Sequence, residues 1–266
     1  MPESESGLDF RRGMIDRRLA RTRRVLLVMS GKGGVGKSVV SAALAGIAAA
    51  SGLKAGLMDA DIYGPSSALL FGAKGLPAEG ESGLVPPVLG GVKVMSVDLF
   101  ASGRPIPLAG SGANEILLEL LALTDWGNLD CLVVDMPPAT GDIMLTLTSL
   151  RKDDVRAVVV TMPDRLSTSV AHRVLELLKS GGVTTVGVLG NMVRGSAKGK
   201  GTGPRKLAEE FGVPLLGQLP YDPSVSRAVE KGNIESLLQT KFARVLRRSM
   251  DVYLSGIGRS SSRGAG

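Results

Sequence analysis

Short apolar runs alternate with longer segments of helical spacing along most of the chain. The apolar runs predict strands at 25–30, 54–61, 91–100, 129–138, 154–163, 184–192 and 213–220. The segments of helical spacing predict helices at 38–52, 113–123, 167–182, 204–212, 223–231 and 234–254. Because strands that alternate with helices form βαβ units, the pattern predicts an α/β fold: one doubly wound, mostly parallel sheet with helices on both faces.

Two segments fall outside this alternation. Residues 62–91 are rich in Gly and Pro and predict a long loop with space for one short helix, while 194–203 predict a flexible basic loop. The chain shows no internal repeat and no linker. We therefore expect a basic, partly flexible segment over 1–24, a single domain over 25–254 and a disordered tail over 255–266.

The composition suits a core of aliphatic side chains, because aromatic residues make up only 3% of the chain. No apolar run reaches the ~18 residues needed to span a bilayer, and the first residues lack the apolar stretch of a signal peptide. The single cysteine, Cys131, excludes an intrachain disulfide and any Cys-x-x-Cys site within one chain. These features favour a reducing cytoplasm, and Cys131, inside an apolar run, is expected to pack in the core.

The net charge of +7 lies at the two ends of the chain. Residues 1–24 carry +3 and residues 244–266 carry +4, so the stretch between them is neutral. Basic ends can contact nucleic acid or anionic lipid, yet charge runs are more often solvated surface. The helical pattern at 237–254 has Arg between apolar positions, and packing on the sheet is favoured over lying on a membrane. Since aromatic side chains for base stacking are scarce, we expect neither nucleic acid nor a membrane as partner.

The segment SGKGGVGKS, from Ser30 to Ser38, joins a predicted strand to a predicted helix and has the spacing of a phosphate-binding loop. Its glycines let backbone N–H groups converge on an anion, and the following helix adds the positive end of its dipole. Lys37 is expected to bridge the β- and γ-phosphates, and Ser38 to place its hydroxyl on Mg²⁺. The expected nucleotide contacts in the loop are Gly31, Gly33, Gly34, Val35, Gly36, Lys37, Ser38 and Val39.

Carboxylates at the ends of two other predicted strands extend this site. Asp135 follows four apolar residues and emerges at the same edge of the sheet as the loop, on the magnesium side. Asp59 and Asp61 are two residues apart on an extended segment and share a face, so one of them can orient the attacking water or bind Mg²⁺ through water. Either carboxylate could instead form an Asx turn with its own backbone. For Asp59 the turn and the functional role are weighted equally, whereas for Asp61 the functional role is favoured. A backbone N–H near Thr140 or Gly141 is placed to sense the γ-phosphate.

Three weaker candidates rest on single features. Asn191 ends a predicted strand and can contact adenine, and the turn Pro220-Tyr221-Asp222 can wall the base. His172 lies in a predicted helix without a Cys or His partner, so a surface or capping role is favoured over catalysis.

The loop GKGGVGKS, with a lysine at each end, resembles the deviant Walker A motif of the ATPase group that includes ParA, MinD and the nitrogenase iron protein. Within that group the chain is most similar to the Mrp family of iron–sulfur cluster carrier ATPases, through DADIYGPS, WGNLDCLVVDMPPATGDIMLTL and FGVPLLGQLPYDPSV. The resemblance extends over about 25–250. It implies a slow, Mg-dependent ATPase that forms a homodimer closed by ATP, with an iron–sulfur client or scaffold protein as partner.

The resemblance also assigns roles to single residues. The first lysine of the loop reaches across the dimer to the partner's nucleotide in that group, which implies this role for Lys32. A lysine donated in this way offsets γ-phosphate charge in the transition state. Asp61 matches the residue that orients water, and Asn191 and Pro220–Asp222 match adenine contacts. The implied catalytic residues are Lys32, Lys37 and Asp61, and the implied magnesium site comprises Ser38, Asp59 and the Walker B aspartate, Asp135.

The chain departs from the family pattern at two places. Family members carry a Cys-x-x-Cys pair after the asparagine-bearing strand and share a cluster between two subunits through it, but here that stretch reads NMVRGSAKGKGTGPRK. Ala139 stands where the family has glycine. The thiolate ligands of a bridging cluster are therefore absent, and the sequence leaves open whether an iron–sulfur cluster binds. A ParA/MinD-like positioning switch on DNA or membrane and a nucleotide-gated scaffold are the alternative functions.

Overall fold

The computed structural model describes residues 5–73, 75–101, 112–137, 142–150, 153–194 and 203–259. The strands are β1 (Thr22–Met29), β2 (Ala55–Asp59), β3 (Ala78–Gly80), β4 (Gly83–Val85), β5 (Val88–Leu89), β6 (Val92–Met95), β7 (Leu129–Asp135), β8 (Val155–Thr161), β9 (Thr184–Val193) and β10 (Leu215–Pro220). The helices are α1 (Glu5–Leu19), α2 (Lys37–Ala50), α3 (Ser67–Leu70), α4 (Asp98–Ala101), α5 (Gly112–Leu123), α6 (Asp142–Leu150), α7 (Arg165–Ser180), α8 (Gly203–Phe211), α9 (Pro223–Glu230), α10 (Ile234–Leu238) and α11 (Lys241–Arg259).

Eight strands form one sheet in the order β10-β9-β8-β1-β7-β2-β6-β5. Neighbouring strands are parallel except β5 and β6, and β3 and β4 form a separate antiparallel pair. The chain places β2 on one side of β1 and β8 on the other, so the carboxyl end of β1 lies at the crevice where α/β sheets bind ligands. The predicted doubly wound, mostly parallel sheet is confirmed.

Both faces of the sheet are covered by aliphatic side chains. Along β1, Val25 and Leu27 enter one core layer, whereas Leu26 and Val28 enter the other. Helices α1, α5, α6, α7 and α8 pack on the first face, and α2, α10 and α11 pack on the second. Because a strand buried on both faces cannot alternate polar with apolar residues, it appears in the sequence as a continuous apolar run.

The amino-terminal segment contains a helix that the sequence did not predict. A basic, partly flexible segment was expected, but residues 5–19 form α1, and β1 begins at Thr22, three residues earlier than predicted. Ile15 and Leu19, one helical turn apart, are fully buried in the core layer that includes α5. Arg18 donates hydrogen bonds to the backbone carbonyls of Ala122 and Ser82. Ile15, Leu19 and the partly buried Met14, together with Arg18, therefore dock a helix that carries many charged residues.

The carboxyl-terminal helix packs on the sheet, as predicted, but it differs in its bounds. The helix expected over 234–254 is divided at Thr240, whose hydroxyl accepts a hydrogen bond from the Ala243 N–H at 3.1 Å. Helix α11 then continues to Arg259, into the region expected to be a disordered tail. Its buried side chains include Phe242, Leu246, Met250, Leu254 and Ile257. Within the described ranges, no helix combines the length and apolar character needed to cross a bilayer.

Three further elements differ from the predicted pattern. The strand expected over 91–100 ends at Met95, because the Ser96 hydroxyl accepts a hydrogen bond from the Asp98 N–H at 3.2 Å and starts helix α4. The segment 62–91 contains the expected short helix, α3, and in addition the short strands β3, β4 and β5. Helix α6, which follows β7, was not predicted.

Candidate functional site

The loop between β1 and α2 has a shape that depends on glycine. Gly36 has a φ of 82°, and a side chain at this position would collide with Nδ2 of Asn191. A Cβ on Gly31 would lie 2.5 Å from the backbone carbonyl carbon of Val170 in α7. The loop is therefore held between α7 and β9, and the positive end of α2, which begins at Lys37, lies beside it.

The other predicted loop contacts differ in exposure. Gly33 and Gly34 are exposed, Val35 is buried, and Ser38 and Val39 lie in the first turn of α2. The loop thus presents glycine backbone to solvent on one side and anchors itself through Val35 on the other.

Lys37 and Asp135 form a buried ion pair. Lys37 Nζ donates to Asp135 Oδ1 at 2.6 Å, and the side chains are 8% and 0% exposed. The Ser41 hydroxyl donates to the same oxygen at 2.8 Å, and the Ser38 hydroxyl lies 3.5 Å from Lys37 Nζ. Parallel pairing of β1 with β7 brings these residues together although they are 98 positions apart.

The same cluster provides oxygen ligands that fit Mg²⁺. Asp135 Oδ2 is buried and has no hydrogen-bond partner among the described residues. A buried carboxylate oxygen without a partner is costly, and it is the ligand that a hard divalent cation prefers. Together with the Ser38 hydroxyl, it forms the donor set expected on the magnesium side of a phosphate loop.

Asp59 lies at the end of β2, opposite Asp135 in the register of the two strands. Its Oδ1 accepts the Asp61 N–H at 3.1 Å, and its Oδ2 accepts the N–H groups of Ser66 and Ser67 at 2.9 and 2.8 Å. Burial, and then the charge of Asp135, raise the pKa of Asp59 to about 6. The Asx turn considered for Asp59 is therefore present, and both carboxylate oxygens already hold backbone groups, which leaves its magnesium role a prediction.

Asp61 is half-buried, and its Oδ1 accepts the Gly64 N–H at 3.2 Å. Asp61 thus begins the turn after β2 at the same edge of the sheet as the loop.

Lys32 points toward a capping residue of its own chain. Its Nζ lies 3.9 Å from Asp164 Oδ1, and the two side chains are 34% and 43% exposed. Asp164 caps α7 by accepting hydrogen bonds from the Ser167 N–H at 2.9 Å and the Ser167 hydroxyl at 2.5 Å. These Ser167 bonds, with a smaller effect of Lys32, lower the pKa of Asp164. Asp164 was missed as a neighbour of the loop, although an Asp directly before a helical pattern is a helix-capping signal.

Asn191, on β9, forms a hydrogen bond with the phosphate loop. Its side chain is buried, and Nδ2 donates to the Val35 carbonyl at 2.8 Å. The next residue, Met192, has a φ of 55° and is the one non-glycine residue with positive φ among those described. A positive φ is uncommon for a residue other than glycine and is typical of functional sites. No sequence pattern predicted it for Met192. The adenine contact of Asn191 stays a prediction.

The turn after β10 combines an exposed aromatic ring with a structural carboxylate. Tyr221 is half exposed, and the Arg194 guanidinium lies 4.4 Å from the centre of its ring. Asp222 accepts the Ser224 N–H at 3.0 Å at the start of α9 and the Phe242 N–H at 3.2 Å at the start of α11. Asp222 therefore caps two helices, and the adenine contacts of Pro220, Tyr221 and Asp222 stay a prediction.

Two residues have the structural roles expected of them. Cys131 is fully buried, and burial, with a smaller effect of Asp130, raises the pKa of its thiol to about 12. His172 lies on the surface, with Nε2 at 2.9 Å from Glu210 Oε1. Thr140, Gly141 and Ala139 lie outside the described residues, as does most of the basic loop at 194–203.

Comparison with known proteins agrees with this geometry. The family model of ParA, described as "NUBPL iron-transfer P-loop NTPase", matches residues 21–251. An iron-sulfur cluster carrier protein of Saccharolobus solfataricus is 37% identical, over 77% of this chain and 73% of the relative. One of Mycobacterium leprae is 38% identical, over 79% of this chain and 58% of the relative. This chain thus spans between about half and three quarters of the length of these relatives.

Solved structures show the same architecture. The nucleotide-binding protein of Archaeoglobus fulgidus, in complex with ADP, has a TM-score of 0.70 and 32% identity, covering 84% of this chain and 92% of that one. The cell division ATPase MinD of Pyrococcus furiosus has a TM-score of 0.63 and 22% identity, covering 88% of this chain and 99% of that one. The second likeness, at low identity, concerns the fold alone.

Proposed function

Since this chain belongs to the ParA family of NUBPL-like iron-transfer P-loop NTPases, we propose that it is a slow, Mg-dependent ATPase that acts in iron–sulfur cluster assembly or transfer. We further propose that it works as a homodimer closed by ATP. Its relatives are named as iron-sulfur cluster carrier proteins, and a structural relative binds ADP. The single buried cysteine supports a reducing cytoplasm as its location.

The observation that carries the ATPase proposal is the cluster of Lys37, Ser38 and Asp135. A cation, a hydroxyl and a buried carboxylate oxygen that lacks a partner among the described residues meet at the start of α2. The glycine loop before them can direct backbone N–H groups to the phosphates. Ser38 and Asp135 would hold Mg²⁺, which when bound neutralises phosphate charge. In this scheme Lys37 exchanges its contact with Asp135 for the phosphates, and Asp61 orients the attacking water.

The position of Lys32 supports the proposed dimer. Its ammonium is one third exposed and lies at 3.9 Å from Asp164, a loose contact for an ion pair. Breaking such an exposed pair costs little, so Lys32 can leave Asp164 and reach the nucleotide of a second subunit. There it would offset charge on the γ-phosphate in the transition state.

The chain itself does not fit a cluster held by its own thiolates. Its one cysteine, Cys131, is fully buried, and the raised pKa of about 12 keeps the thiol protonated near neutral pH. Iron–sulfur clusters are ligated mainly by thiolates. We therefore propose that the cluster is cargo held by a client or scaffold protein, and that this chain supplies the nucleotide-driven change of shape.

Hydrolysis and dimerisation test the ATPase proposal together. Wild type should hydrolyse Mg-ATP and elute as a dimer with ATP, and Lys32→Ala should bind ATP but lose both properties. Lys179→Ala, which removes an exposed lysine at the far end of α7, is the matched control and should behave as wild type. Normal hydrolysis by Lys32→Ala would contradict the role given to this lysine.

Anaerobic reconstitution with ferrous iron and sulfide tests the cargo proposal. After desalting, iron analysis and visible spectroscopy should show no retained cluster, with ATP or without. A retained cluster that is lost in Cys131→Ser would show that this cysteine is a ligand and would overturn the proposal.

A further inference from the structure

A cavity of about 660 Å³ lies at the opposite end of the sheet from the phosphate loop. It is formed where β1 and β8 begin and where α11 ends, and a volume of this size is typical of small-ligand sites. Its walls comprise Ala20, Arg21, Thr22, Arg23, Arg24, Asp154, Arg156, Val252, Tyr253, Gly256 and Ile257. The eight residues of β1 separate it from the loop by about 26 Å.

The walls of this cavity carry an excess of positive charge. Four of the lining side chains are arginines, against the single lining carboxylate of Asp154. Asp154 pairs with Arg24 at 2.5 Å, and Asp130, outside the cavity, pairs with Arg23 at 3.5 Å. Neither ion pair includes Arg21 or Arg156. Arg156 Nη1 donates to the Val155 carbonyl at 2.9 Å, so the other N–H groups of Arg156 and the guanidinium of Arg21 remain for an anion.

A tyrosine hydroxyl lies beside these cations. The Tyr253 hydroxyl oxygen is buried and has no hydrogen-bond partner in the part of the chain that the structure describes. Burial raises the pKa of Tyr253, while Arg156 and Arg24 act in the opposite direction, as nearby cations do. The phenol is therefore a neutral donor that lacks an acceptor among the described residues, close to Arg156.

We propose that this cavity binds a small organic anion, a carboxylate or phosphate monoester on an apolar body. Arg156 and Arg21 would pair with its charge, and the Tyr253 hydroxyl would donate a hydrogen bond to it. The apolar body would lie against Ile257 and the tyrosine ring. The hydroxyl is buried, so the anion reaches it only when a neighbouring side chain of the cavity wall moves.

A compact ligand fits this surface better than a nucleic acid does. The arginines of α1 do not line this cavity, and Arg18 donates instead to the carbonyls of Ala122 and Ser82. The cavity also shares no residue with the nucleotide site, so the proposal does not depend on the ATPase proposal.

The test uses phenyl phosphate and benzoate as probes, with benzyl alcohol as the neutral control. Saturating Mg-ADP is present throughout, so that the phosphate loop does not compete for the probe. Calorimetry gives the Kd for wild type, Tyr253→Phe, Arg156→Gln and the control Arg173→Gln, whose arginine is exposed on α7. Thermal unfolding with and without probe is measured in parallel.

Wild type and Arg173→Gln should bind at least one of the two anions about tenfold more tightly than benzyl alcohol. The anion with the lower Kd shows whether the site prefers a phosphate or a carboxylate. Tyr253→Phe should bind that anion about tenfold more weakly while unfolding at the same or a higher temperature, because it removes only an unpaired hydroxyl. Arg156→Gln should weaken binding at least tenfold. A purely structural tyrosine would leave the Kd unchanged.

Equal Kd values in all four proteins, or no binding of either anion at about 10 mM, would overturn the proposal. Tighter binding of a single-stranded DNA oligonucleotide, lost in Arg156→Gln and Tyr253→Phe, would overturn it in favour of a nucleic-acid site.

Discussion

Replacing Lys37 by methionine should destabilise the fold itself, in addition to removing a phosphate contact. Lys37 Nζ is the cation nearest to Asp135 Oδ1, at 2.6 Å, and the Asp135 side chain has no exposed surface. Methionine keeps the length of the side chain but leaves this carboxylate buried without a counter-charge. The hydroxyl of Ser41, at 2.8 Å, is the remaining donor to the same oxygen.

The magnitude follows from the burial of the pair. Removing one partner of a buried ion pair costs about 3–5 kcal/mol, and the hydrogen bond from Ser41 places Lys37→Met at the lower end, about 3 kcal/mol. Lys37→Met/Asp135→Asn removes both charges and should regain about 2 kcal/mol of this loss. The coupling energy in a double-mutant cycle should therefore be about 2 kcal/mol or more.

Urea unfolding followed by circular dichroism, without nucleotide, measures these free energies. Lys179→Met, at an exposed position of α7, is the control and should lie within about 0.5 kcal/mol of wild type. A cost below about 1 kcal/mol for Lys37→Met, with additive effects in the double variant, would refute the reasoning. If the cost is confirmed, loss of nucleotide binding in a Lys37 variant has to be measured on protein shown to be folded.

Three other predictions concern single residues. Lys32→Ala should change the free energy of unfolding by less than about 0.5 kcal/mol, because its contact with Asp164 is loose and exposed; urea unfolding checks this, and a cost above about 1 kcal/mol would disagree. The folded-state pKa of Asp59 is raised to about 6, so the folded state binds the extra proton and wild type should lose about 2 kcal/mol of stability as pH rises from 4 to 6 relative to Asp59→Asn. Unfolding at several pH values measures this difference, and parallel profiles of the two proteins would contradict it. Asp222→Ala should cost about 1–2 kcal/mol, since it removes the caps of α9 and α11; an unchanged unfolding midpoint with weaker ATP binding would instead indicate an adenine contact.

Much of the fold and the centre of the site could be predicted from the sequence because their signals are local. The glycine loop is nine consecutive residues, and its need for positive φ at Gly36 is visible as a glycine. Buried parallel strands such as β1, β7 and β8 appear as apolar runs, because both of their faces are covered. Asp135 could be identified since it directly follows such a run.

Helix α1 could not be predicted, because its stability comes from docking and its apolar residues, of which Ile15 and Leu19 are fully buried, are scattered among charged ones. The division of the last helix at Thr240 depends on the position of Asp222, which caps α11 from a distant turn. In both cases a contact between segments that are distant in the sequence determines the local structure. Intrinsic helix propensity does not predict such contacts.

By itself, the sequence determined the parallel sheet, the phosphate loop and the absence of a cysteine pair. Only the tertiary structure decided that Lys37 is bound to Asp135, that Asp59 is a turn residue, and that arginines of the basic amino-terminal segment line a cavity with Arg156 and α11. The reason is physical: ion pairs, buried carboxylates and cavities are made by residues far apart in the chain. Their positions depend on strand order and register, which no short stretch of sequence contains.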